Sequence, residues 1–514
     1  MLYYEMFENH PGDAPALIQN NRITTYDQFR QWIDTWAAYL QSLGLQKGER
    51  VGLFSKNCSE FLVAYFAVIK AGGIVVPFNF QLAMPEVAYI VKDAGLRFLI
   101  ARQPLPLEES LAAIQYDGEL RQISFDEMDG GTDRDYVDTG LKETDTCTII
   151  FTSGTTGKPK GAMLNHKNLI QNTRDIHEVL ETYEGDRVLC VLPMFHCFAW
   201  TTSVSAPLYL GGCIVIEENY TLEQTVELID TYKVQEFFGV PTMIQMFLTL
   251  PNADRLRSVR FFVSGGAPLP RKLADDFQEK FGKPVQEGYG LSEASPVVSV
   301  NPPQKIKVGS IGRPLPSVET QIRDKEEHIV PPGTIGELCV KGLNVMSGYL
   351  NRPLDTAEAL RGGWLHTGDL AYEDEEGYIF IVDRLKDMII TAGENVYPRE
   401  IEEVLYHHPA IQEVAVIGVP DQLRGQAIAA YVVLKEGRTA TQPELRKFIR
   451  GKVANYKLPK YFGFLDQLPK NKTGKVLKTD LRRWGMERFN AADSAGSVHR
   501  RQKNGRHPKA ARKP

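Results

Sequence analysis

A segment rich in glycine and hydroxyl side chains, TSGTTGKPKG (152–161), contains the residue types that bind phosphate. In such a loop, backbone N–H groups and hydroxyls donate to phosphate oxygens, and lysines add positive charge. The segment is not the Walker pattern, because only two residues separate Gly154 from Gly157 and Pro159 follows Lys158. Taken alone, it fits either a different phosphate-binding loop or a flexible turn.

Five further segments follow it in a fixed order: VLPMFHCFAW (191–200), GYGLSEASP (288–296), WLHTGDLAYEDEEGY (364–378), DRLKDMIITAGENVYPREIE (383–402) and LPKNKTGKVLK (468–478). Together with residues 152–161, these segments resemble the motifs of the acyl- and aryl-CoA ligases of the adenylate-forming (AMP-binding) enzyme superfamily. The resemblance extends over residues 10 to 485, which is nearly the whole chain. The run PMFHCFAW is similar to the fatty acid–CoA ligase subgroup.

The resemblance implies a two-step reaction. A carboxylate is a poor electrophile, so such ligases couple it to the α-phosphate of ATP, release pyrophosphate and form an acyl-adenylate. The thiol of coenzyme A then displaces AMP. Because two anions must meet in the first step, it requires cations, hydrogen-bond donors and Mg²⁺ directed at the phosphates. The expected cofactors and substrates are therefore ATP, Mg²⁺, coenzyme A and a small carboxylic acid.

The resemblance also implies where the nucleotide binds. Tyr289 would stack on adenine, and Asp369 would accept hydrogen bonds from both ribose hydroxyls. Arg384 would add a second contact, and Lys160 would lie near the phosphates. The complete set of implied nucleotide and coenzyme contacts is Thr152, Ser153, Gly154, Thr155, Thr156, Gly157, Lys158, Gly265, Gly266, Ala267, Gly288, Tyr289, Gly290, Ser292, Asp369, Arg384, Lys386, Gly393 and Lys475.

Three residues have implied catalytic roles. Lys475 would bridge the substrate carboxylate and the α-phosphate, and Glu293 would bind Mg²⁺ with Thr152 nearby, since a carboxylate oxygen is a hard ligand. His196 would lie beside the acyl carboxylate. Each has a structural alternative: Lys475 as a solvated lysine, Glu293 as a carboxylate at a helix N-terminus and His196 as a packing residue. Asp369 could likewise be a turn residue.

The resemblance further implies a mobile small domain that withdraws Lys475 after adenylation and presents the face around Gly393 to the thiol. Lys386, within DRLKD (383–387), matches the hinge position of the superfamily. A charged linker without a hinge role is the alternative interpretation.

Hydrophobic periodicity predicts an α/β fold, in which layered α/β subdomains form a large N-terminal domain and a small α+β domain follows. Thr25 and Gln28 have capping-box spacing at the start of a helix. Helices are also predicted from Ser59 to Ala71, from Pro85, over 398–408 and over 442–453, with strands over 50–54, 73–78, 146–151, 413–420 and 427–434. The predicted domains are 1–383 and 384–490, followed by a basic disordered tail, 491–514.

Composition narrows the class of protein. The chain is 43% hydrophobic and 24% charged, and its six cysteines form no CxxC pair, which favours a reducing cytoplasm over a disulfide framework or a zinc site. The first residues do not predict a signal peptide, and no run predicts a membrane span. The basic residues of the tail lack interleaved aromatic residues, so nucleic acid binding is not expected. Contact of this tail with an anionic membrane surface and formation of a homodimer both stay open.

The segments around His196 indicate the class of acid. Neither PMFHCFAW nor FFGVPTM (237–243) contains an Arg or Lys that would pair with a second carboxylate, so dicarboxylates are disfavoured. PMFHCFAW also lacks the Asp with which amino-acid-activating relatives hold an ammonium group. Trp200 resembles the gating tryptophan of some long-chain enzymes, although core packing would explain it equally well. The sequence favours a medium- to long-chain fatty acid, with an aryl or cinnamate-type acid, or a carrier-protein acceptor, as alternatives.

Overall fold

The computed structural model describes residues 1–132, 135–152, 158–421, 423–470 and 476–485. The chain divides into two compact units, Met1–Ile381 and Val382–Pro514, and this division falls within a strand, Ile379–Arg384. The predicted boundary follows Asp383 and stays a prediction. Within the described residues, no helix is both long and apolar enough to cross a lipid bilayer.

The helices and strands of the first unit alternate along the chain. Its α-helices are α1 Tyr26–Ser42, α2 Ser59–Lys70, α3 Met84–Ala94, α4 Glu108–Ala113, α5 Phe125–Asp129, α6 His166–Leu180, α7 Cys197–Ala199, α8 Ala206–Tyr209, α9 Leu222–Tyr232, α10 Pro241–Phe247, α11 Arg271–Phe281 and α12 Pro353–Ala359. Its strands are β1 Pro15–Gln19, β2 Arg22–Thr25, β3 Arg50–Phe54, β4 Ile74–Pro77, β5 Phe98–Ala101, β6 Arg121–Ser124, β7 Thr146–Thr152, β8 Lys160–Asn165, β9 Arg187–Cys190, β10 Cys213–Ile216, β11 Glu236–Gly239, β12 Phe261–Ser264, β13 Val285–Gly290, β14 Val297–Val300, β15 Arg313–Pro314, β16 Val318–Arg323, β17 Gly336–Gly342, β18 Gly348–Tyr349, β19 Leu365–Glu373 and β20 Ile379–Arg384.

Shorter helical turns join these elements. They are the 3₁₀ turns Tyr3–Phe7, Asp254–Leu256, Ser292–Ala294 and Arg361–Gly363, and the π-helical segment Trp200–Ser205.

The predicted start of α1 is confirmed. The side chain of Thr25 accepts the backbone N–H of Gln28, and the side chain of Gln28 accepts the N–H of Thr25. These two bonds satisfy N–H groups that a helix N-terminus leaves without partners. The predicted strands at 50–54 and 146–151 are also confirmed, with bounds at Arg50–Phe54 and Thr146–Thr152.

Three sheets organise the first unit. The first has nine strands in the order β15-β14-β13-β12-β11-β9-β10-β1-β2, and the second has seven in the order β18-β8-β7-β4-β3-β5-β6. Helix α2 is buried over nearly its whole circumference, as an apolar helix between layers must be. It contacts both large sheets, because the Tyr65 hydroxyl bonds Thr148 of β7 and the Ser59 N–H bonds Gln19 of β1.

The third sheet has the order β16-β17-β19-β20 and contains an irregularity that matters for the site. Glu337 of β17 pairs with Leu370 of β19, whereas Cys339 pairs with His366. Leu338 therefore faces Thr367–Asp369, so β19 bulges at the predicted ribose-binding residue.

The second unit contains β21 Ile389–Thr391, β22 Glu394–Val396, β23 Ile411–Asp421, β24 Gly425–Leu434 and β25 Tyr461–Phe464, with helices α13 Pro398–Tyr406 and α14 Gln442–Ile449 and a 3₁₀ turn at Asn455–Lys457. Its strands run in the order β22-β21-β24-β23, and β25 pairs with β24. The prediction of a helix over 442–453 is wrong beyond Ile449. Arg450 takes extended backbone angles and bridges to Val453, while Gly451 adopts φ +81°.

Candidate active site

Glu293 is the centre of one cluster of predicted site residues. It lies in the turn Ser292–Ala294, which follows β13, and its Oε1 accepts the Tyr349 hydroxyl at 2.8 Å. The Thr152 Oγ1 at the end of β7 donates to the same oxygen at 3.4 Å. The structure thus brings the two predicted metal ligands, Glu293 and Thr152, together. It also shows that the Tyr349 hydroxyl contacts Glu293. Burial raises the pKa of Tyr349, so its hydroxyl stays protonated and donates.

The phosphate segment is described on both sides of a gap. Ser153, Gly154, Thr155, Thr156 and Gly157, predicted to bind phosphate, lie outside the described residues. After the gap, the Lys158 Nζ lies 6.0 Å from the centre of the Tyr89 ring. Lys160, predicted to lie near the phosphates, forms an ion pair with Asp355, so its charge already has a carboxylate partner.

A second cluster joins the predicted adenine and ribose residues. The Tyr289 hydroxyl donates to Asp369 Oδ2 at 2.5 Å, and Asp369 is only 5% exposed. The sequence analysis gave these residues separate roles and did not predict their contact. It arises because β13 ends beside the bulge of β19 that carries Asp369. The Tyr289 ring and the Asp369 carboxylate therefore lie close enough together to contact one bound nucleotide.

Close backbone approach explains two of the predicted glycines. A Cβ at Gly290 would lie 2.2 Å from the carbonyl oxygen of Pro296, and a Cβ at Gly265 would lie 2.9 Å from the Phe198 ring. A side chain at Gly290 would therefore displace the Pro296 backbone, and one at Gly265 would displace the Phe198 ring. The other predicted backbone contacts, Gly266, Ala267 and Gly288, lie in the same stretches; Gly266 adopts φ +76°.

His196 directly precedes the helical run 197–209. Its Nδ1 accepts the N–H of Phe198 at 3.2 Å, so His196 caps α7. A neutral imidazole that accepts at Nδ1 carries its hydrogen on Nε2, which is the nitrogen that could donate to a carboxylate. The next residue, Cys197, contacts the predicted site residue Ser292 with 3.3 Å between Sγ and Oγ. Burial raises the pKa of Cys197 to about 12, so it is a neutral thiol there.

Trp200 is a core residue in this structure. It is buried, and its ring stacks on Tyr65 with 3.7 Å between centroids and lies 6.0 Å from the ring of Phe61. The packing interpretation is therefore sufficient to explain it. A gating role stays a prediction.

In the second unit, the predicted hinge and coenzyme residues are held by local contacts. The Arg384 N–H donates to Asp383 Oδ1 at 2.8 Å, and Gly393, with φ +86°, lies between β21 and β22. Lys386 lies in the turn that follows β20. Lys475, predicted to be catalytic, lies outside the described residues, so its role stays a prediction.

Two family profiles match the chain. The AMP-binding enzyme family matches residues 4–350, and the AMP-binding enzyme C-terminal domain matches residues 400–475. The chain belongs to the AMP-binding enzyme family. The resemblance drawn from six ordered segments is thereby confirmed, as is the predicted class of enzyme, an acid–thiol ligase.

Two curated relatives of this AMP-binding enzyme are equally similar to it. It is 37% identical over 487 residues to a long-chain-fatty-acid–CoA ligase of Bacillus subtilis (strain 168), with 87% of each chain covered. It is also 37% identical over 475 residues to a feruloyl-CoA synthase of an Amycolatopsis species, which covers 91% of this chain and 96% of the relative. One relative is named for a fatty acid and the other for an aromatic acid, so the comparison agrees on the family and leaves the acid undetermined.

A solved structure supports the fold. ATP-bound MatB from Rhodopseudomonas palustris has a TM-score of 0.88 and 30% sequence identity, with 94% of this chain and 99% of that chain covered. The predicted α/β fold class is confirmed.

Sequence reasoning missed two residues of the candidate site, Tyr349 and Glu337. The Tyr349 hydroxyl donates to Glu293, and Glu337 accepts the N–H of Gly368, next to Asp369. Both lie outside the six segments that carry the resemblance. The nearest signal was the acidic side chain within GELCVKG, the run that forms the largely buried strand β17.

Proposed function

We propose that this AMP-binding enzyme is an ATP-dependent fatty acid–CoA ligase that forms an acyl-adenylate and then an acyl-CoA thioester. The observation that carries the proposal is the convergence of Thr152 and Tyr349 on the Glu293 carboxylate. This convergence places a carboxylate at the end of the strand that leads into the phosphate segment. A carboxylate and a hydroxyl at this place can bind a cation, and activation by ATP requires positive charge where the phosphates lie.

Mg²⁺ fits the donor set at this position. The Glu293 carboxylate and the Thr152 hydroxyl are hard oxygen ligands, and their oxygens lie 3.4 Å apart. These two residues would hold the ion, which supplies positive charge to the phosphates when bound. Lys158 lies within the phosphate segment and would add a further positive charge.

The remaining roles follow from the two-step chemistry. In the first step, a carboxylate oxygen of the acid attacks the α-phosphorus of ATP, and the bond to pyrophosphate breaks. Tyr289 and Asp369 would hold the adenosine, with the ring on the base and the carboxylate on the ribose hydroxyls. Lys475 would neutralise the carboxylate and α-phosphate as they join, and His196 would donate to the carboxylate. In the second step, the thiolate of coenzyme A attacks the acyl carbon and AMP leaves.

An apolar monocarboxylic acid suits the residues beside His196. The Phe198 ring lies against Gly265 and meets Phe238 edge-on, with 6.5 Å between centroids. Val240 and Met243 are buried in the neighbouring segment. Segments 191–200 and 237–243 contain no Arg or Lys, so a second carboxylate would lack a partner there. A fatty acid meets these conditions.

An aryl acid of the cinnamate type is the second candidate. Two observations favour it: the feruloyl-CoA synthase is as similar to this chain as the fatty acid ligase is, and the Phe198 ring beside Gly265 meets Phe238 edge-on. Edge-on contacts between rings add roughly 0.5–1.5 kcal/mol beyond area burial, so the same wall could select an aromatic acid.

The test is to incubate the protein with ATP, coenzyme A and each acid of a panel. AMP release and thioester formation are measured for each acid. The panel contains C2 to C18 saturated acids, benzoate, cinnamate and ferulate. We expect the highest kcat/KM with C8 to C18 acids. A higher kcat/KM with ferulate or cinnamate would show that the substrate is an aryl acid, the second candidate. Thioester formed only on an added carrier protein would refute coenzyme A as the acceptor.

Lys475→Ala is the active-site control in this assay. We expect it to abolish acid-dependent exchange of pyrophosphate into ATP while the thermal unfolding midpoint stays unchanged. Retained exchange would contradict the role of Lys475 in the first step.

A further inference from the structure

The bulge of β19 leaves backbone groups that the strand ladder does not pair. Leu338 of β17 faces the three residues Thr367–Asp369, so the strand ladder offers them fewer partners than they have backbone groups. Buried N–H groups without partners destabilise the fold and are therefore nearly always satisfied by another group. Side chains fill this role here. The Asp369 N–H donates to Thr367 Oγ1 at 3.1 Å, and the Thr367 hydroxyl donates to the carbonyl oxygen of Leu338 at 2.7 Å.

Glu337 satisfies the N–H of Gly368, the middle residue of the bulge. Its Oε1 accepts the Gly368 N–H at 3.0 Å and so takes the place of the missing strand carbonyl. Gly368 adopts φ +70°, a conformation that turns the chain immediately before Asp369. The position of Asp369 therefore depends on where the Glu337 carboxylate lies.

The second oxygen of Glu337 is itself held in place. His366 Nδ1 lies 2.9 Å from Oε2, and Arg361 Nη2 lies 3.1 Å from it. An ionised carboxylate only accepts, so His366 carries a hydrogen on Nδ1. Arg361 is fixed in turn by a 2.9 Å bond from its Nε to Glu327. Glu337 thus accepts three hydrogen bonds, one from the bulge and two from its support.

The arrangement of these residues does not favour a metal ion. Glu337, Cys339 and His366 offer ligand atoms within 4.8 Å of one another. The Arg361 guanidinium, however, contacts the same carboxylate oxygen that a metal would use, and its positive charge would repel a cation.

We propose that Glu337 is a positioning residue for the nucleotide: it fixes the bulge so that Asp369 reaches the ribose hydroxyls. This inference rests on the proposed function, in which Asp369 accepts those hydroxyls. The Tyr289 hydroxyl also donates to the Asp369 carboxylate. Glu337 therefore fixes the backbone before Asp369, and Tyr289 fixes its side chain.

Glu337→Gln tests the proposal with a small change in shape. A glutamine has one side-chain oxygen for three donors, so either the Gly368 bond or the bonds from His366 and Arg361 must be lost. The readout is the ratio of Kd for 2′,3′-dideoxy-ATP to Kd for ATP, measured by calorimetry on the full chain. The wild-type ratio reports the contact of Asp369 with the ribose hydroxyls. We expect Glu337→Gln to lower this ratio by about tenfold, the loss of one charge-assisted hydrogen bond.

The matched control is Glu319→Gln. Glu319 is an exposed glutamate on β16 of the same sheet, where its register partner is Lys341, so the wild-type ratio is expected. A general destabilisation of the fold would weaken the binding of both nucleotides equally and leave the ratio of the two Kd values unchanged.

Arg361→Gln is the second variant if Glu337→Gln does not fold. Its side chain is 41% exposed, so its loss is tolerated, and a smaller fall of the ratio in the same direction is expected. A wild-type ratio in a folded Glu337→Gln, or in Arg361→Gln if the first variant fails, would overturn the positioning role. A wild type that binds both nucleotides equally would instead overturn the proposed ribose role of Asp369, and the inference with it.

Discussion

The Glu293 carboxylate receives its hydroxyl contact from Tyr349, which is 56 residues further along the chain. Tyr349 belongs to β18, which pairs with β8 directly after the phosphate segment. The next residue, Leu350, donates its N–H to the carbonyl oxygen of Gly161 at 2.8 Å. The same short strand therefore supports both the phosphate segment and the predicted metal ligand.

Tyr349→Phe removes this hydroxyl and leaves the ring. We expect the Mg²⁺ concentration for half-maximal activity to rise by about tenfold, as is usual when a partner that orients a metal ligand is lost. The measurement is the initial rate of acyl-CoA formation against Mg²⁺ concentration at saturating ATP.

Tyr116→Phe is the matched control for this prediction. It loses a hydroxyl that donates to the carbonyl oxygen of Leu96 at 2.9 Å, and it should keep the wild-type Mg²⁺ dependence. If Tyr349→Phe also keeps that dependence, Tyr349 does not orient the metal ligand.

Single residues show what the sequence could predict about the site. Glu293 and Asp369 stand in segments whose order carries the resemblance, so their types and positions were sufficient to select them. Tyr349 and Glu337 act through contacts made between strands, and a tyrosine or a glutamate outside a motif has no distinguishing pattern. Their selection required the pairing of β18 with β8 and the bulge of β19.

At the scale of elements, periodicity predicted the regular structure well. The capping box at Thr25, the helix from Ser59 and the strands at 50–54 and 146–151 depend on local residues and were confirmed. The π-helical segment Trp200–Ser205 and the bulge at Thr367–Asp369 were not predicted. Both are set by packing and strand pairing, which a local pattern does not report.

Glu217 ties strand β10 to helix α9. It is fully buried after β10, and its carboxylate accepts the N–H of Thr221, the N-cap of α9, and the hydroxyl of Thr225. Burial raises the pKa of Glu217 from 4.5 to about 7, although these hydrogen bonds act in the opposite direction. A raised pKa in the folded state makes the free energy of unfolding depend on pH.

The sign follows from the two protonation states. Below pH 4.5 Glu217 is protonated in both states, and its contribution to the free energy of unfolding is fully present. As the pH rises towards 7, the unfolded carboxyl ionises while the buried one does not, so up to about 3 kcal/mol is lost. Glu217→Gln cannot ionise, so its unfolding midpoint should increase relative to wild type between pH 5 and pH 8.

Thermal unfolding at these two pH values measures this change. Glu218→Gln is the matched control, because this neighbouring side chain is partly exposed and lies 3.7 Å from Lys56. A constant difference between wild type and Glu217→Gln at both pH values would show that Glu217 does not titrate in this range.

At the scale of the whole molecule, the predicted hinge has a structural consequence. Lys386 lies between two carboxylates that are both bound within the second unit. The Arg399 N–H donates to Asp383 Oδ2 at 3.0 Å, and Arg482 Nη2 lies 2.5 Å from Asp387 Oδ1. The resemblance implies a pivot at Lys386, and such a pivot would separate Asp383 from Arg399. The bond between these two residues would then be lost in one of the two implied states.

Lys386→Pro tests the pivot directly. Proline fixes φ at position 386 and restricts Leu385, so the backbone loses the rotation that a change of state requires. The resemblance implies that each state serves one step, so we expect thioester formation to slow by at least about tenfold, ~1.4 kcal/mol in its barrier, with a smaller effect on pyrophosphate release. Rapid-mixing measurements of pyrophosphate release and of acyl-CoA formation give the two rates separately. Lys386→Ala removes the side chain and keeps the backbone free, so it measures the side-chain effect alone, and proline should slow thioester formation beyond it. Equal slowing of both steps by proline would count against a pivot at this residue.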